Sequence, residues 1–564
     1  MVREEIRNLI QEALDKLQIV ETDFTVEHPS RIEFGDYSTN VGIKTGKAEE
    51  ITVALRRIQQ AHREQAQGDF ISEIKIKSGF INFFLSKEFF AKSLEAIIEE
   101  GVDFGKGEKL RGEKVMVEHT DPNPFKEFHI GHLMPNVIGS TLARIYEWNG
   151  AEVKQANYQG DKGVHVACAV WALLKDPQQE LTPQSLGIAY ARGAGAYNEN
   201  EDAKKEIDSL NKVIYEESDG EVMEVYEKGR RVSLEYFESI YKKLNAKFDY
   251  YFFESETAKA GKKIVEDNLG KVFEESEGAV VFKGEKYDPS LHTRVFVNSL
   301  GLPTYEAKDL GNAKLKFDKY PYTKSIIVTG SEIKDYFRVV LKALELIYPE
   351  LAAKTRNIPH GMLRLPTGKM SSRTGQVITA EWLIGEVKRV IEANGQNAKD
   401  EIAVSAIKYM ILKQAIGGDI IFDFEKSIST EGDSGPYLQY AYARTNSLLE
   451  KAKSQGLALS TDSDALALNP AGEVRMVEKL LYRFPEVVEQ ALDEFAPHRI
   501  TTYLTELSSA FNNFYAHEQV IPPPDRRADS DHSESAYRLA IVESFNIVMK
   551  NGLNVLGIPT PDRM

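Results

Sequence analysis

The chain has 564 residues and a single cysteine, Cys168. One thiol excludes an intramolecular disulfide framework and any cysteine-rich zinc knuckle. No run of about 18 apolar residues is present, so no membrane span is expected. The opening stretch, MVREEIRNLIQEALDKL, lacks a continuous apolar segment and carries acids throughout. It is therefore not a secretory leader, and a cytoplasmic location is expected. Basic charge is also scarce: 70 Lys and Arg face 86 Asp and Glu, for a net charge of −16. This argues against broad nucleic-acid binding, because phosphate contact needs Lys and Arg. An RNA partner would have to meet local basic patches. KGRR at 228–231 and DRR at 525–527 are candidates, and each also reads as plain solvated surface.

What is present is ordinary globular material, 42% hydrophobic and 28% charged. Length alone suggests three or four domains of about 150 residues. Residues 1–108 read as a small α+β unit: an amphipathic first helix carrying Ile6, Leu9, Ile10, Leu14 and Leu17, a charged helix near 51–67, and the alternating strand-like run ISEIKIKSGFINFFLS. GKGEKLRGEK at 105–114 has linker composition. Residues 109–400 form an α/β unit. KVMVEHT is strand-like, Pro122 and Pro124 break it, a helix is expected over 131–149 with Gly150 at its end, and AEVKQANY is a second strand. Strand, loop, helix and strand make a βαβ unit and hence a parallel sheet. Residues 171–290 read as a mostly helical insertion, and KSIIVTGSEIKDYF as a second strand-then-helix unit. Residues 401–564 are expected to form an all-α helical bundle. IPPPDRRADSDHSES is a Pro-rich, acidic loop of mobile character.

Two stretches carry chemistry. PNPFKEFHIGHL, at 122–133, sets His129 and His132 around Gly131 just before a helix, with Lys126 upstream. In an open parallel sheet this turn falls at the carboxyl end of a strand, where ligands bind. The following helix N-terminus offers amide donors to phosphate, and the imidazoles offer donors to charge that builds up in a transition state. The bland alternatives are metal ligands, a surface accident, or satisfied polar groups at a helix start. A metal site needs three or four ligands, and no third ligand stands at a typical spacing. LRLPTGKMSSRTG, at 363–375, is rich in Gly, Ser and Lys; Lys369 and Arg373 there suit a clamp on departing pyrophosphate, and the alternative is a flexible surface loop.

HIGH and KMSS together resemble the signatures of class I aminoacyl-tRNA synthetases. VEHTDPNPFKEFHIGHL, NYQGDKG, TYEAKDL, YLQYAYAR, ITTYLTELSSAFNNFY and NVLGIPTPDRM resemble the corresponding stretches of arginyl-tRNA synthetases, and EFGDYSTNVGI and SGFINFFLS resemble their N-terminal extension. The resemblance covers nearly the whole chain. It implies a Rossmann-like catalytic domain between an N-terminal domain that touches the tRNA elbow and a helical anticodon-binding domain. The implied activity joins L-arginine to tRNA(Arg) through arginyl-adenylate, with ATP as substrate, Mg²⁺ on its phosphates and no protein-bound zinc. A monomer is expected, and arginine activation that needs bound tRNA is implied.

The resemblance also implies residue roles. His129, His132, Lys126 and Lys369 would be catalytic. His129, Gly131, His132, Gly160, Asp161, Met362, Lys369, Met370 and Ser371 would hold ATP. Glu118, Asn123, His129, Tyr305 and Asp309 would bind arginine, whose cationic fork calls for carboxylates and well-placed acceptors. Tyr437, Tyr440, Arg444 and Met564 would meet the anticodon, where aromatic faces stack on unpaired bases, and Asn82, beside Phe80, the tRNA elbow. For Tyr437 and Tyr440 the competing reading is core packing of an amphipathic helix. Three departures stand out. Ser372 replaces a second lysine, and Lys126 stands where a compensating lysine is implied. Lys162 and His165 follow Gly160 and Asp161 where Trp and Gln are usual. Ile333 stands near the usual position of a glutamine that helps bind arginine. Two rival readings are a synthetase for another amino acid, lysine foremost because the paired acids suit a cation, and a non-catalytic RNA-binding relative.

Overall fold

The computed structural model describes residues 2–21, 23–64, 70–176, 180–366, 378–457, 473–521 and 532–564. At its centre is a five-stranded, wholly parallel sheet. Its strands are numbered here in chain order: β1 Lys114–Glu118, β2 Glu152–Gln159, β3 Tyr250–Phe253, β4 Lys324–Gly330 and β5 Thr355–His360. Their spatial order is β5-β4-β1-β2-β3. The chain builds outward from β1 in one direction and then returns to build in the other. The reversal lies between β1 and β4, and a crevice opens at their carboxyl ends. β1 and β4 are buried almost from end to end, as strands covered on both faces must be, which is why they read as continuous apolar runs.

The helix expected over 131–149 spans Ile130–Trp148, and its apolar face is buried against the sheet. The segment 171–290 is mostly helical, through Pro183–Glu199, Glu201–Glu216, Gly220–Lys243 and Glu254–Asp267, but it also supplies β3 to the main sheet. Three short antiparallel strands follow, the last at Thr293–Val297. The sequence hid β3 because YYFF is only four residues long and lies between charged helices, too short for a period to emerge.

In the N-terminal part, the run at 71–86 is a hairpin, Ile71–Lys77 and Phe80–Leu85, rather than one strand. It turns on Ser78 and Gly79, both at positive φ, as a two-residue hairpin turn requires. These strands join Tyr37–Thr39 and Val26–Glu27 in a four-stranded antiparallel sheet against helices Val2–Lys16 and Ala48–Glu64. Tyr482, from the C-terminal helices, packs into the same core. The all-α end does not form a separate core. One cluster runs from Leu133, Val137 and Leu142 of the Ile130–Trp148 helix through Ile407 and Leu438 to Phe511 and Phe545. Thr141 also donates to the Leu556 carbonyl at 3.2 Å. Of the Pro-rich loop, residues 522–531 lie outside the described residues.

Candidate active site

His129 caps the Ile130–Trp148 helix. Its Nδ1 accepts the Gly131 N–H at 3.1 Å, and its own N–H donates to Nδ1 of His132 at 3.3 Å. The two rings stack at 3.7 Å. Both Nδ1 atoms therefore accept, and the proton of each neutral ring sits on Nε2. Burial, reinforced by the Lys126 charge, holds His129 down at about 4, and burial with the neighbouring His129 and Lys126 lowers His132 as well. At neutral pH the turn is thus two uncharged donors. The glycine is obligatory for this stack, since a Cβ at Gly131 would lie 2.8 Å from the His129 ring.

A buried relay fixes the turn to the sheet. His119 Nε2 donates to Gln155 Oε1 at 3.1 Å, the Thr120 hydroxyl donates to His119 Nδ1 at 2.8 Å, and Asn136 donates to that hydroxyl oxygen at 3.1 Å. Thr120, Asp121 and Phe125 all have positive φ, a concentration of costly backbone of the kind found where geometry matters more than comfort. The turn opens on a cleft of about 710 Å³. Lys126, His129, Gly131 and Met362 line it, together with Asp121, Ile333 and Tyr190. Tyr190 comes from the helical insertion, and Lys126 lies over its ring at 4.4 Å.

Lys369, Met370 and Ser371 lie outside the described residues, but the described residues on both sides of them reach the cleft. Before it, Met362, Leu363 and Leu365 line the wall. Leu363–Arg364 pairs with Ile420–Ile421, and Arg364 forms an ion pair with Asp419 at 2.6 Å. After it, Ile378 accepts the Ile130 N–H at 3.0 Å, and Ala380 donates to the Phe128 carbonyl at 2.9 Å. The described residues on either side of the second motif thus lie at the cleft and the histidine turn.

Behind the cleft lies a surplus of carboxylates. Glu118 is buried in an ion pair with Lys316 at 2.7 Å and accepts from Asn312 at 2.9 Å. Glu254 is buried against Lys308 at 2.6 Å. Asp309 accepts the Tyr336 hydroxyl and has no cation of its own among the described residues. Burial, with the charges of Glu118 and Glu254, pushes its carboxyl up to about 7. Asp121 accepts the Tyr158 N–H at 2.8 Å, and burial followed by the Glu118 charge holds its carboxyl well above the usual range. Four carboxylates against Lys308 and Lys316 leave the region short of positive charge. Tyr305 stands exposed at the start of the Tyr305–Lys319 helix, with its ring 4.9 Å from Lys308 Nζ.

Several expected positions already have partners within the protein. Asp161 does not line this cleft. Its carboxylate accepts from the Ser255 N–H and hydroxyl at 2.8 Å each, from Arg230 at 3.0 Å and from Tyr226 at 3.3 Å, so it clamps the insertion to the turn after β2. Gly160 is spent likewise. A Cβ there would lie 2.2 Å from Asn123 Oδ1, and its carbonyl accepts from His165 at 2.8 Å. His165 is thereby structural, as is Lys162, whose buried side chain reaches Glu217 at 2.8 Å. Asn123 packs on that turn and is absent from the cleft wall. Glu118 is paired with Lys316. None of this was readable from spacing, since Tyr226, Arg230, Ser255 and Lys316 lie far along the chain.

On the C-terminal helices, Tyr440 and Met564 are exposed, whereas Tyr437 is 8% exposed and accepts from Asn512 at 2.9 Å. Tyr437 is thus buried and Tyr440 exposed although they lie three residues apart on one helix. Arg444 lies over Tyr440 at 4.7 Å and over Tyr515, which the sequence did not single out, at 5.7 Å. The tail carrying Met564 runs along this helix, held by Arg563 to Glu450 at 3.0 Å. Asn82 is buried within its sheet, and its neighbour Phe80 is the exposed residue. Among the described residues no three His, Cys, Asp or Glu side chains gather as a metal site, and no helix is long and apolar enough to cross a membrane.

Comparison with known proteins agrees with this layout. A family model described as the class I (R) tRNA synthetase catalytic domain matches residues 94–424. An arginyl-tRNA synthetase N-terminal domain model matches 4–85, and a DALR anticodon-binding domain model matches 438–564. The chain is 29% identical to a protein named arginine–tRNA ligase from Halothermothrix orenii, covering 100% of this chain and 99% of that one. It is 31% identical to one from Treponema denticola, over 85% and 84%. The arginyl-tRNA synthetase structure of Thermus thermophilus superposes with a TM-score of 0.76 at 25% identity, covering 100% of each chain. That of Plasmodium falciparum, at 19% identity and a TM-score of 0.73, shares the fold over 100% of this chain and 99% of its own.

Proposed function

We propose, for a chain that belongs to the class I arginyl-tRNA synthetases and is an arginine–tRNA ligase, that ATP and arginine meet in the cleft between β1 and β4. In this reading ATP, carried with Mg²⁺, lays its phosphates against the histidine turn. The neutral Nε2–H groups of His129 and His132 donate to the oxygens on which charge grows as the arginine carboxylate attacks the α-phosphorus. Donors aimed at developing charge in a dry site are the main source of such catalysis. Because the rings are already neutral and capped through Nδ1, no protonation change is needed before reaction. Gly131 allows the close approach, Met362 provides an apolar wall, and Lys126 lines the same cleft with its ammonium over the Tyr190 ring. Lys369, between two flanks that both reach the cleft, completes the cradle for pyrophosphate, with Met370 and Ser371 beside it. The arginyl group then passes to the 2′-hydroxyl of the terminal tRNA adenosine.

The observation that carries the reading is the juxtaposition of a donor pair with a carboxylate surplus. Phosphate chemistry needs the donors, and a guanidinium needs the carboxylates. Asp309, with Tyr305 one helical turn away, is the acceptor for the fork. Tyr440, Arg444 and Met564 form an exposed platform for anticodon bases, and every side chain this scheme uses comes from one chain, so a monomer suffices. The test is aminoacylation of unfractionated tRNA with labelled arginine, beside lysine and glutamate, with pyrophosphate exchange measured with and without tRNA. Charging of arginine alone is expected, with exchange only when tRNA is present. Charging of lysine would transfer the pocket to the other cation, and no charging or exchange with any of them would leave an RNA-binding relative.

A further inference from the structure

Among the described residues that line the cleft, Tyr190 alone comes from the helical insertion. Its ring centroid lies 4.4 Å from the Lys126 ammonium, and no ion pair reaches that lysine among the described residues. The other lysines of the region are paired: Lys162 with Glu217, Lys308 with Glu254 and Lys316 with Glu118. The Lys126 charge is felt across the cleft. After burial, it is among the causes that hold His129, His132 and His165 below the ordinary histidine value. The helix that carries Tyr190, Pro183–Glu199, is closely seated. A Cβ at Gly193 would lie 2.0 Å from the Cys168 carbonyl oxygen, and Arg192 donates to the Ala172 carbonyl. A Cβ at Gly187 would lie 3.2 Å from the Glu127 side chain. Residues 187, 190 and 193 are three apart and share one side of the helix. That side therefore offers room for Glu127, a ring for Lys126 and a flat seat on the helix Val164–Leu174.

We propose that Tyr190 is a positioning residue for adenylate formation, its ring face seating the Lys126 ammonium at the cleft where the phosphates of ATP arrive. The proposal rests on the reading of the cleft given above and deepens it. A lysine is a point charge on a flexible four-carbon stem, and ordering that stem opposes its meeting with a phosphate. An aromatic face attracts the ammonium through the ring quadrupole without neutralising it. A carboxylate in the same place would also hold the lysine, but it would cancel the charge and repel the nucleotide. The ring thus orders the side chain in advance and leaves its charge for the reacting group. Because the seat belongs to the insertion, the Asp161 clamp that ties the insertion to the turn after β2 also fixes where this lysine stands.

The test uses the full chain with tRNA and reads ATP–pyrophosphate exchange. Tyr190→Leu should slow exchange by about three- to thirtyfold, the range of one cation–π contact, with the arginine KM unchanged. Tyr190→Phe keeps the ring face and should keep the rate. Replacing that phenylalanine by its mono-, di- and trifluoro analogues weakens the face stepwise at nearly constant shape, and the logarithm of the rate should fall in step, which loss of packing alone would not produce. Lys126→Met removes the cation, and in that background Tyr190→Leu should have no further effect. A rate independent of the number of fluorines overturns the assignment. So does a Tyr190→Leu loss that persists undiminished in Lys126→Met, which would mean that the ring meets the substrate directly. Absence of exchange in the wild type with arginine, ATP and tRNA would strike the underlying reading, and the proposal with it.

Discussion

The turns after β1 and β2 stand side by side, and both carry family motifs, yet they spend their polar groups in opposite ways. The turn after β1 satisfies its histidines through Nδ1, with His129 and Gly131 lining a cleft. The turn after β2 uses Asp161 for Ser255, Tyr226 and Arg230, and Gly160 for Asn123 and His165. A motif in the sequence therefore marks a place where geometry matters, without saying whether the geometry serves a ligand or the scaffold. The scaffold turn has a clear task, since it ties the helical insertion, and with it Tyr190, to the edge of the cleft.

Asp161→Ala gives the largest expected effect. It leaves Arg230 and buried donors without their partner and should destabilise the fold by about 3–5 kcal/mol, seen in thermal unfolding. An unchanged melting point together with a raised ATP KM would erase the contrast between the turns. His132→Ala should show the reverse: fold retained, activation slowed by roughly 10²–10³, the loss of one transition-state donor. A normal activation rate would remove the turn from the chemistry. The same division recurs along the Gly435–Ser454 helix. Tyr440→Ala should weaken tRNA binding by about 1–3 kcal/mol, the worth of one stacked base, with stability kept, while Tyr437→Ala should lower stability because its ring lies in the core. Equal effects from the two would deny the exposed platform.

The smallest effect is a pH dependence. Asp309, pushed up to about 7, becomes protonated as pH falls through that value and then no longer attracts a guanidinium. Arginine KM should be flat above about pH 7 and rise up to tenfold per unit below it, and Asp309→Asn should raise KM and abolish the slope. A slope that survives in Asp309→Asn assigns the titration to another group.

Much of the fold was legible. Val117, Ile326 and Ile327 announce buried parallel strands, and the Leu133–Ile145 period announces the helix that carries the histidines, because both patterns are local consequences of burial on one face. The hairpin at 71–86 was missed as two strands, although Ser78-Gly79 was its signal. β3 was missed because four residues carry too little pattern. The sequence itself determined the residue types and their order: neutralisable histidines around a glycine, acids for a cation, aromatic helices at the end. Only the tertiary structure decided which of those groups remain free. Lys316 takes Glu118, Arg230 takes Asp161, Asn512 takes Tyr437, and among the described residues no lysine takes Asp121 or Asp309. Such partners are set by packing between segments hundreds of residues apart, and a buried charge must find one or shift its protonation. That choice is made in space, where local spacing has no hold.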